Sequence, residues 1–279
     1  MLWFWLAFLA GICSNVFNFF SRFVLKDKDD PTAYAWYFEL IRFVSFTVVA
    51  FVDWRLIITL QSIALFILLA ITEVLASYWL MKMHQYNHLS ISTILSRTRL
   101  LWVPILGFFI MRESLRPLEY AGIAVLFLGV SITAAPSKIL FDKGVRYANL
   151  DSFVIALNII FTKMALPFAS NSVLNDIMVA PSVVLFPFLM KNAKKRIQML
   201  FKKKIFLKSF AILINVASVY LFTQALRVGD ASKVTAIYQG MMILSVLAGI
   251  VVLKEKQDIK RKLIGAVITL IGVYLLEVL

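Results

Sequence analysis

The chain has 279 residues, of which 61% are hydrophobic and only 16% charged, with 29 basic against 15 acidic residues and a formal net charge of +14. That balance excludes an ordinary soluble domain and points to a chain for which lipid replaces water as the solvent. The basic residues fall between apolar runs, so the excess reads as membrane topology and not as a nucleic-acid surface.

Crossing roughly 30 Å of hydrocarbon takes about 20 apolar residues. Ten such windows follow one another at 2–21, 33–52, 58–80, 89–110, 117–135, 149–166, 172–190, 206–226, 234–253 and 261–278. The expected fold is therefore an all-α integral membrane protein of ten transmembrane helices. The first window has no basic residue before it and is too long for a cleaved signal, so it is read as a retained helix carrying Asn15 and Asn18. Its Cys13 is the one cysteine, so no internal disulfide is available.

The second window carries Glu39 and Arg42, three apart and able to neutralise each other on one helix face. Glu73 lies in the third window and Arg97 in the fourth, each nine residues from the same predicted surface, which puts both near the midplane and within reach of one another. On a helical wheel Arg97 shares a face with Ser90, Thr93 and Pro104, whereas Arg99 points away. Arg97 is thus expected to line a cavity and Arg99 to pair with another helix. A charge at mid-membrane costs several kcal/mol unless it meets a partner or water, so these positions are candidates for function. Asn158 in the sixth window, Asn215 and Gln224 in the eighth, and Tyr238 and Gln239 in the ninth add uncharged hydrogen-bonding groups. Between the seventh and eighth windows, Lys191 to Lys208 holds eight Lys or Arg with Ile197, Leu200, Phe201 and Ile205 at helical spacing, a basic amphipathic stretch suited to an anionic leaflet. His84 and His88 are four apart but have no third ligand in view, so no metal is expected. No phosphate loop, metalloprotease motif or nucleophile elbow is present, which leaves neither an enzyme nor a cofactor expected.

The chain also repeats itself. Tyr78, Ser90 and Glu113 fall on Tyr220, Ser232 and Glu255 at an offset of 142, Gly122 and Gly129 on Gly265 and Gly272 at 143, and Arg22 on Lys163 at 141. Five windows per copy is an odd number, so the second copy is expected to enter the membrane inverted, as in alternating-access transporters. The copies are residues 1–135 and 149–279, joined by a loop at 136–148. In each, the two glycines lie two turns apart on one face and suit close helix packing. Glu113 and Glu255 read as interfacial anchors, and Arg22 and Lys163 as side chains that snorkel to the surface. At an offset of 142 Glu73 corresponds to Asn215 and Arg97 to Gln239, so the second copy keeps polarity and drops charge.

Leu89-Ser-Ile-Ser-Thr, the central Pro104, Met111-Arg-Glu-Ser-Leu and Tyr120-Ala-Gly through Gly129-Val130, repeated as Ala231-Ser-Lys-Val-Thr, Leu253-Lys-Glu-Lys and Ile264-Gly through Gly272-Val273, resemble the EamA-type repeat of the drug/metabolite transporter superfamily. The resemblance spans essentially the whole chain, with Pro104 replaced by Val246 in the second copy. It implies a ten-helix secondary transporter in a prokaryotic cytoplasmic (inner) membrane, in which two five-helix bundles rock about a central cavity. The partners it implies are the lipid bilayer, a small-molecule substrate and protons as candidate coupling ion, with no nucleic acid. Small multidrug resistance proteins of that superfamily use a glutamate on helix 1, where this chain has Asn15 and Asn18, which disfavours proton-coupled export of cationic drugs. The arginines favour an anionic or amino-acid-like metabolite. A flippase for a phospholipid or lipid-linked sugar is the alternative; a membrane-embedded enzyme and a non-transporting scaffold fit less well. Orientation divides the two lines of reasoning. The odd-numbered connections hold 17 basic residues against five in the even ones, which places both termini outside, whereas the resemblance implies termini inside.

Overall fold

A computed structural model describes residues 1–25, 30–86, 96–134, 143–201, 204–241, 243–244 and 258–277. Glu255, Ser90 and His88 lie outside them, as do the side chains of Asn18, Arg22 and His84. Eleven α-helices are present among the described residues, and no strand beyond an isolated bridge between Leu56 and Ala169. They are α1 (Leu2–Leu25), α2 (Pro31–Asp53), α3 (Leu60–Tyr86), α4 (Arg99–Leu106), α5 (Pro117–Ala134), α6 (Lys143–Ala165), α7 (Asn171–Leu189), α8 (Ala193–Phe201), α9 (Ile205–Val228), α10 (Ala231–Gly240) and α11 (Ile259–Glu277). Five of them, α2, α3, α6, α7 and α9, contain stretches long and apolar enough to cross a membrane. Shorter apolar stretches lie at Leu2–Phe17, Arg99–Met111 and Pro117–Thr133.

Local chemistry sets the helix ends. Asp30 accepts from the backbone N–H groups of Thr32 (3.0 Å) and Ala33 (3.2 Å) with Pro31 at the first helical position, which starts α2. The fourth apolar segment is irregular: a 3₁₀ turn, Ser96–Thr98, leads into α4, which contains Pro104, and a π-helical turn, Gly107–Met111, closes it. Proline has no N–H to give the ladder, and π turns recur at functional sites. Arg112 then adopts a left-handed conformation (φ 56°) that ends the segment and turns Glu113 back toward the protein. The helix α6 starts at Lys143, inside the stretch expected to be a loop, because no proline or glycine pair stops it earlier.

The closest helix packings join one sequence copy to the other. The pair α1 and α9 is matched by α6 and α3, its counterpart when the copies are exchanged; α1 with α10 is matched by α6 with α4, and α2 with α9 by α7 with α3. The pairs α2 with α7 and α5 with α11 map onto themselves. The two copies therefore interdigitate, each packing its helices against those of the other. The predicted glycine pairs explain the tightest contact. A Cβ on Gly272 would lie 2.5 Å from the Leu126 backbone N and one on Gly122 3.1 Å from Leu275 Cβ, while Gly129 and Gly265 each abut the other's backbone carbonyl oxygen. Residues rising along α5 meet residues falling along α11, so the two helices are antiparallel with their backbones nearly touching.

The short helix α8 is present where the basic amphipathic stretch was expected. Its inner face is taken by the protein: Leu200 packs with Tyr37 and Ile212, and the guanidinium of Arg196 is paired with Asp30. That pair holds the Asp30 carboxyl below the usual carboxylate range.

Candidate functional site

Three of the expected site residues converge on one guanidinium. Arg42 on α2 donates through Nη1 to Glu39 Oε2 at 2.8 Å, one turn earlier, and to Glu73 Oε1 on α3 at 3.0 Å. Ser77 reaches the other Glu39 oxygen at 3.5 Å, and Asn158 on α6 donates to Glu73 Oε2 at 3.4 Å and to Thr72 Oγ1 at 3.1 Å. Glu39 and Arg42 are buried and Glu73 nearly so, with the Arg42 guanidinium also 5.2 Å from the Phe38 ring. Two carboxylates on one guanidinium, each with a further neutral donor, form a buried ionic network in which every carboxylate oxygen has a donor and the buried Arg42 Nε is left without a partner.

The expected pairing of Glu73 with Arg97 is not formed. Arg97 Nη1 donates instead to Oε1 of Gln239 on α10, the residue at its own position in the other copy. The reason is in the packing: α6 lies against both α3 and α4 and holds the two helices apart. Equivalent positions of an inverted pair touch only at the axis that relates them, so Arg97 and Gln239 mark that axis. Beside them, Tyr238 donates its hydroxyl to Ser14 Oγ at 2.9 Å and packs on Phe222, while Asn15 donates to the carbonyls of Gly11 and Met241, both at 2.7 Å. Asn215 is buried on α9 with its carbonyl oxygen unpartnered. Gln224 stays outside the convergence and bonds Tyr220 one turn away at 3.2 Å.

Sequence reasoning passed over Asp151. Its counterpart at an offset of 141 is Ala10, so it is a charge gained in one copy only, a signal the repeat alignment held. It lies two turns inside α6, 1% exposed, in the electrostatic field of Arg99 on α4 and of Glu73 on α3. Arg99 was expected to find a partner on another helix, and Asp151 is the acid that faces it. Arg99 also feels Tyr238, so Arg99 and Asp151 connect the two polar groups electrostatically.

A separate polar cluster closes one end of the molecule. Glu113 accepts from the Ala231 N–H (2.8 Å) and the Ser232 hydroxyl (2.8 Å) and N–H (3.3 Å), so a side chain from the first copy caps α10 in the second. Lys163 donates to Glu113 at 2.9 Å and to the Gly229 carbonyl at 2.9 Å. Burial would raise the Glu113 carboxyl, but Lys163, the cap N–H groups and Ser232 together bring it below the ordinary glutamate range. Glu113 is thus a buried cap and not an interfacial anchor, and Lys163 is a bound partner and not a snorkelling chain. At the same end Arg55 donates to the Leu166 and Pro167 carbonyls (3.2 and 2.9 Å), and Arg227 to those of Leu166 and Ala169 (3.0 and 3.1 Å) and to Asn171 Oδ1 (2.7 Å).

Comparison with known proteins gives one family. The model of the EamA-like transporter family matches residues 1–135 and again 142–278. A crystal structure of another protein is similar over 96% of this chain and 95% of that one, with a TM-score of 0.72 at 11% identity, which shows a shared fold. No match is found among curated proteins.

Proposed function

The chain belongs to the EamA-like transporter family, a multi-pass membrane protein built as two repeats, and from that membership we propose that it is a secondary-active transporter of a small polar or amphipathic metabolite, working by alternating access. In this reading ten segments cross the bilayer as two inverted repeats, residues 1–135 and 149–279, in a prokaryotic cytoplasmic membrane. The antiparallel, mutually exchanged packing of the copies supports the inversion.

The observation that carries the reading is the meeting of Arg97 with Gln239, its counterpart in the other repeat. A cationic group on the symmetry axis of an inverted repeat is equally placed for both membrane faces, which a carrier's binding site must be. Arg97 would hold a carboxylate or phosphate of the substrate, with Gln239 as the partner displaced. Tyr238, Asn15, Asn18, Asn158, Asn215 and Gln224 would supply neutral hydrogen bonds, and Glu39, Arg42 and Glu73 a buried counter-charge. The substrate is then amino-acid-like or anionic.

Uptake into proteoliposomes of a defined mixture of the twenty amino acids, small carboxylates and inorganic phosphate tests this. Arg97→Gln should cut the rate for the transported component about tenfold, the result of losing roughly 1.4 kcal/mol of charge-assisted hydrogen bonding. Unchanged uptake overturns the role of Arg97.

One feature favours the second reading, a lipid flippase. A groove of about 550 Å³ between α4 and α5, lined by Leu100, Pro104, Phe108, Tyr120 and Ile123, is apolar and follows the helix that begins next to Arg97. An acyl chain in it would place a headgroup phosphate toward the arginines. Scrambling of a fluorescent phospholipid in the same vesicles separates the two.

A further inference from the structure

Resting on the transporter reading, we propose that Asp151 is the residue through which transport is coupled to protons: it takes up the coupling proton and releases it as the carrier cycles.

A coupling carboxylate has three requirements. It must sit out of bulk water, it must not be saturated by permanent donors, and a cation must be near enough to compete with the proton. Glu39 and Glu73 meet the first and fail the second, since Arg42 donates to both and Ser77 and Asn158 take up the remaining oxygens. Asp176 on α7 is half-buried and held by Thr47 at 3.0 Å, with no cation among its partners. Asp151 meets all three. It is 1% exposed, and neither of its carboxylate oxygens receives a hydrogen bond.

A buried acid left without donors is costly, and such a group persists where a function uses it. Its surroundings are otherwise well satisfied. Next to it Ser152 takes a hydrogen bond from Thr98 at 2.9 Å, and Phe153 packs edge-on against Trp102 at 5.1 Å. So α6 meets α4 and the turn before it just beyond an acid that has been left open.

The ionisable groups facing it are few. From α4 comes Arg99, from α3 Glu73, and from α10 Tyr238, which acts on Arg99; Glu113 faces α6 only at its far end, through Lys163. Arg99 favours the charged acid and Glu73 opposes it, so a small shift of α4 against α6 changes the balance. The 3₁₀ turn at Ser96–Thr98, just before Arg99, is a departure from α-helical geometry at which such a shift can be taken up. Asp151 also lies about 4.5 Å of helix rise inside the start of the apolar stretch of α6, close to one membrane face. Opening on that face would expose it to water.

The test needs no substrate. The full chain is reconstituted on a solid-supported membrane and subjected to a pH jump with no solute present. The wild type should give a transient charge displacement. Asp151→Asn should lose it, Asp151→Glu should retain it, and Asp176→Asn should leave it intact, with each variant shown to be monodisperse. A wild type without the transient, or Asp151→Asn with a wild-type transient, overturns the proposal. Either result leaves the transporter reading to the Arg97 uptake measurement, since a carrier that moves its solute uncoupled would pass the one and fail the other.

Discussion

Glu113 shows how much a single side chain can hold at one end of a helix bundle. It satisfies two backbone donors at the start of α10, a hydroxyl and an ammonium. Glu113→Gln should destabilise the protein by about 1–2 kcal/mol, from a weakened cap and an uncompensated Lys163, measured as a lower melting temperature in detergent. Because the folded carboxyl titrates below its ordinary value of 4.5, its contribution is intact above that pH and is lost as the pH falls through the lower folded value. The melting temperature of Glu113→Gln should therefore depend less on pH below 4.5 than that of the wild type. Equal slopes would show that Glu113 is not a linked group. At this scale the candidate residues were legible in the sequence, because intramembrane charge is rare enough to stand out. Their partners were not. Spacing matches Glu73 and Arg97 in depth, but depth along a helix does not say which helix stands between them.

Among the elements, α5 and α11 make the closest contact, and the glycine spacing foretold it. The two Thr side chains at that contact, Thr133 and Thr269, bond back to the carbonyls of Gly129 and Gly265 at 2.8 Å, and the same Oγ1 atoms lie against the partner helix at Gly265 and Gly129. Gly129→Val should force the helices apart, at a cost of about 1–3 kcal/mol for overpacking. Gly122→Ala, where the nearest atom is a side-chain carbon at 3.1 Å, should cost less. Melting temperatures of the two variants in the same detergent check the order, and equal losses would mean that the backbone contact is not what the glycines serve. The irregular fourth segment was legible only in part. Pro104 announces a disturbed helix, but the π turn and the left-handed Arg112 depend on the fit of Glu113 against α10.

For the whole molecule, the interdigitation of the repeats has a consequence for movement. The packed pairs α1 with α9 and α3 with α6 each contain one helix from either copy, so in the proposed alternating-access motion the moving unit would be a mixed one and not a repeat. The end holding Glu113, Lys163 and Arg55 is tied together across the copies, with Arg227 bonded within the second copy beside it. From the loop charges, 17 basic residues in the odd connections against five in the even ones, we propose that this end lies outside together with both termini. A reporter fused after Leu279 should then be active only outside the cytoplasm, and a reporter active only in the cytoplasm reverses the orientation.

What the sequence by itself determined was the class of protein, the repeat, the glycine seam and, to within a few residues, the five apolar helices long enough to cross a membrane. These follow from composition and from spacing along one chain, and a helix in lipid satisfies its own backbone without help from neighbours. Only the tertiary structure decided that the repeats cross-pair, that Arg97 meets its own counterpart in Gln239, and that Asp151 is left open opposite Arg99. Those are relations between helices distant in sequence, set by which faces pack, and in a membrane many faces are apolar enough to be exchanged.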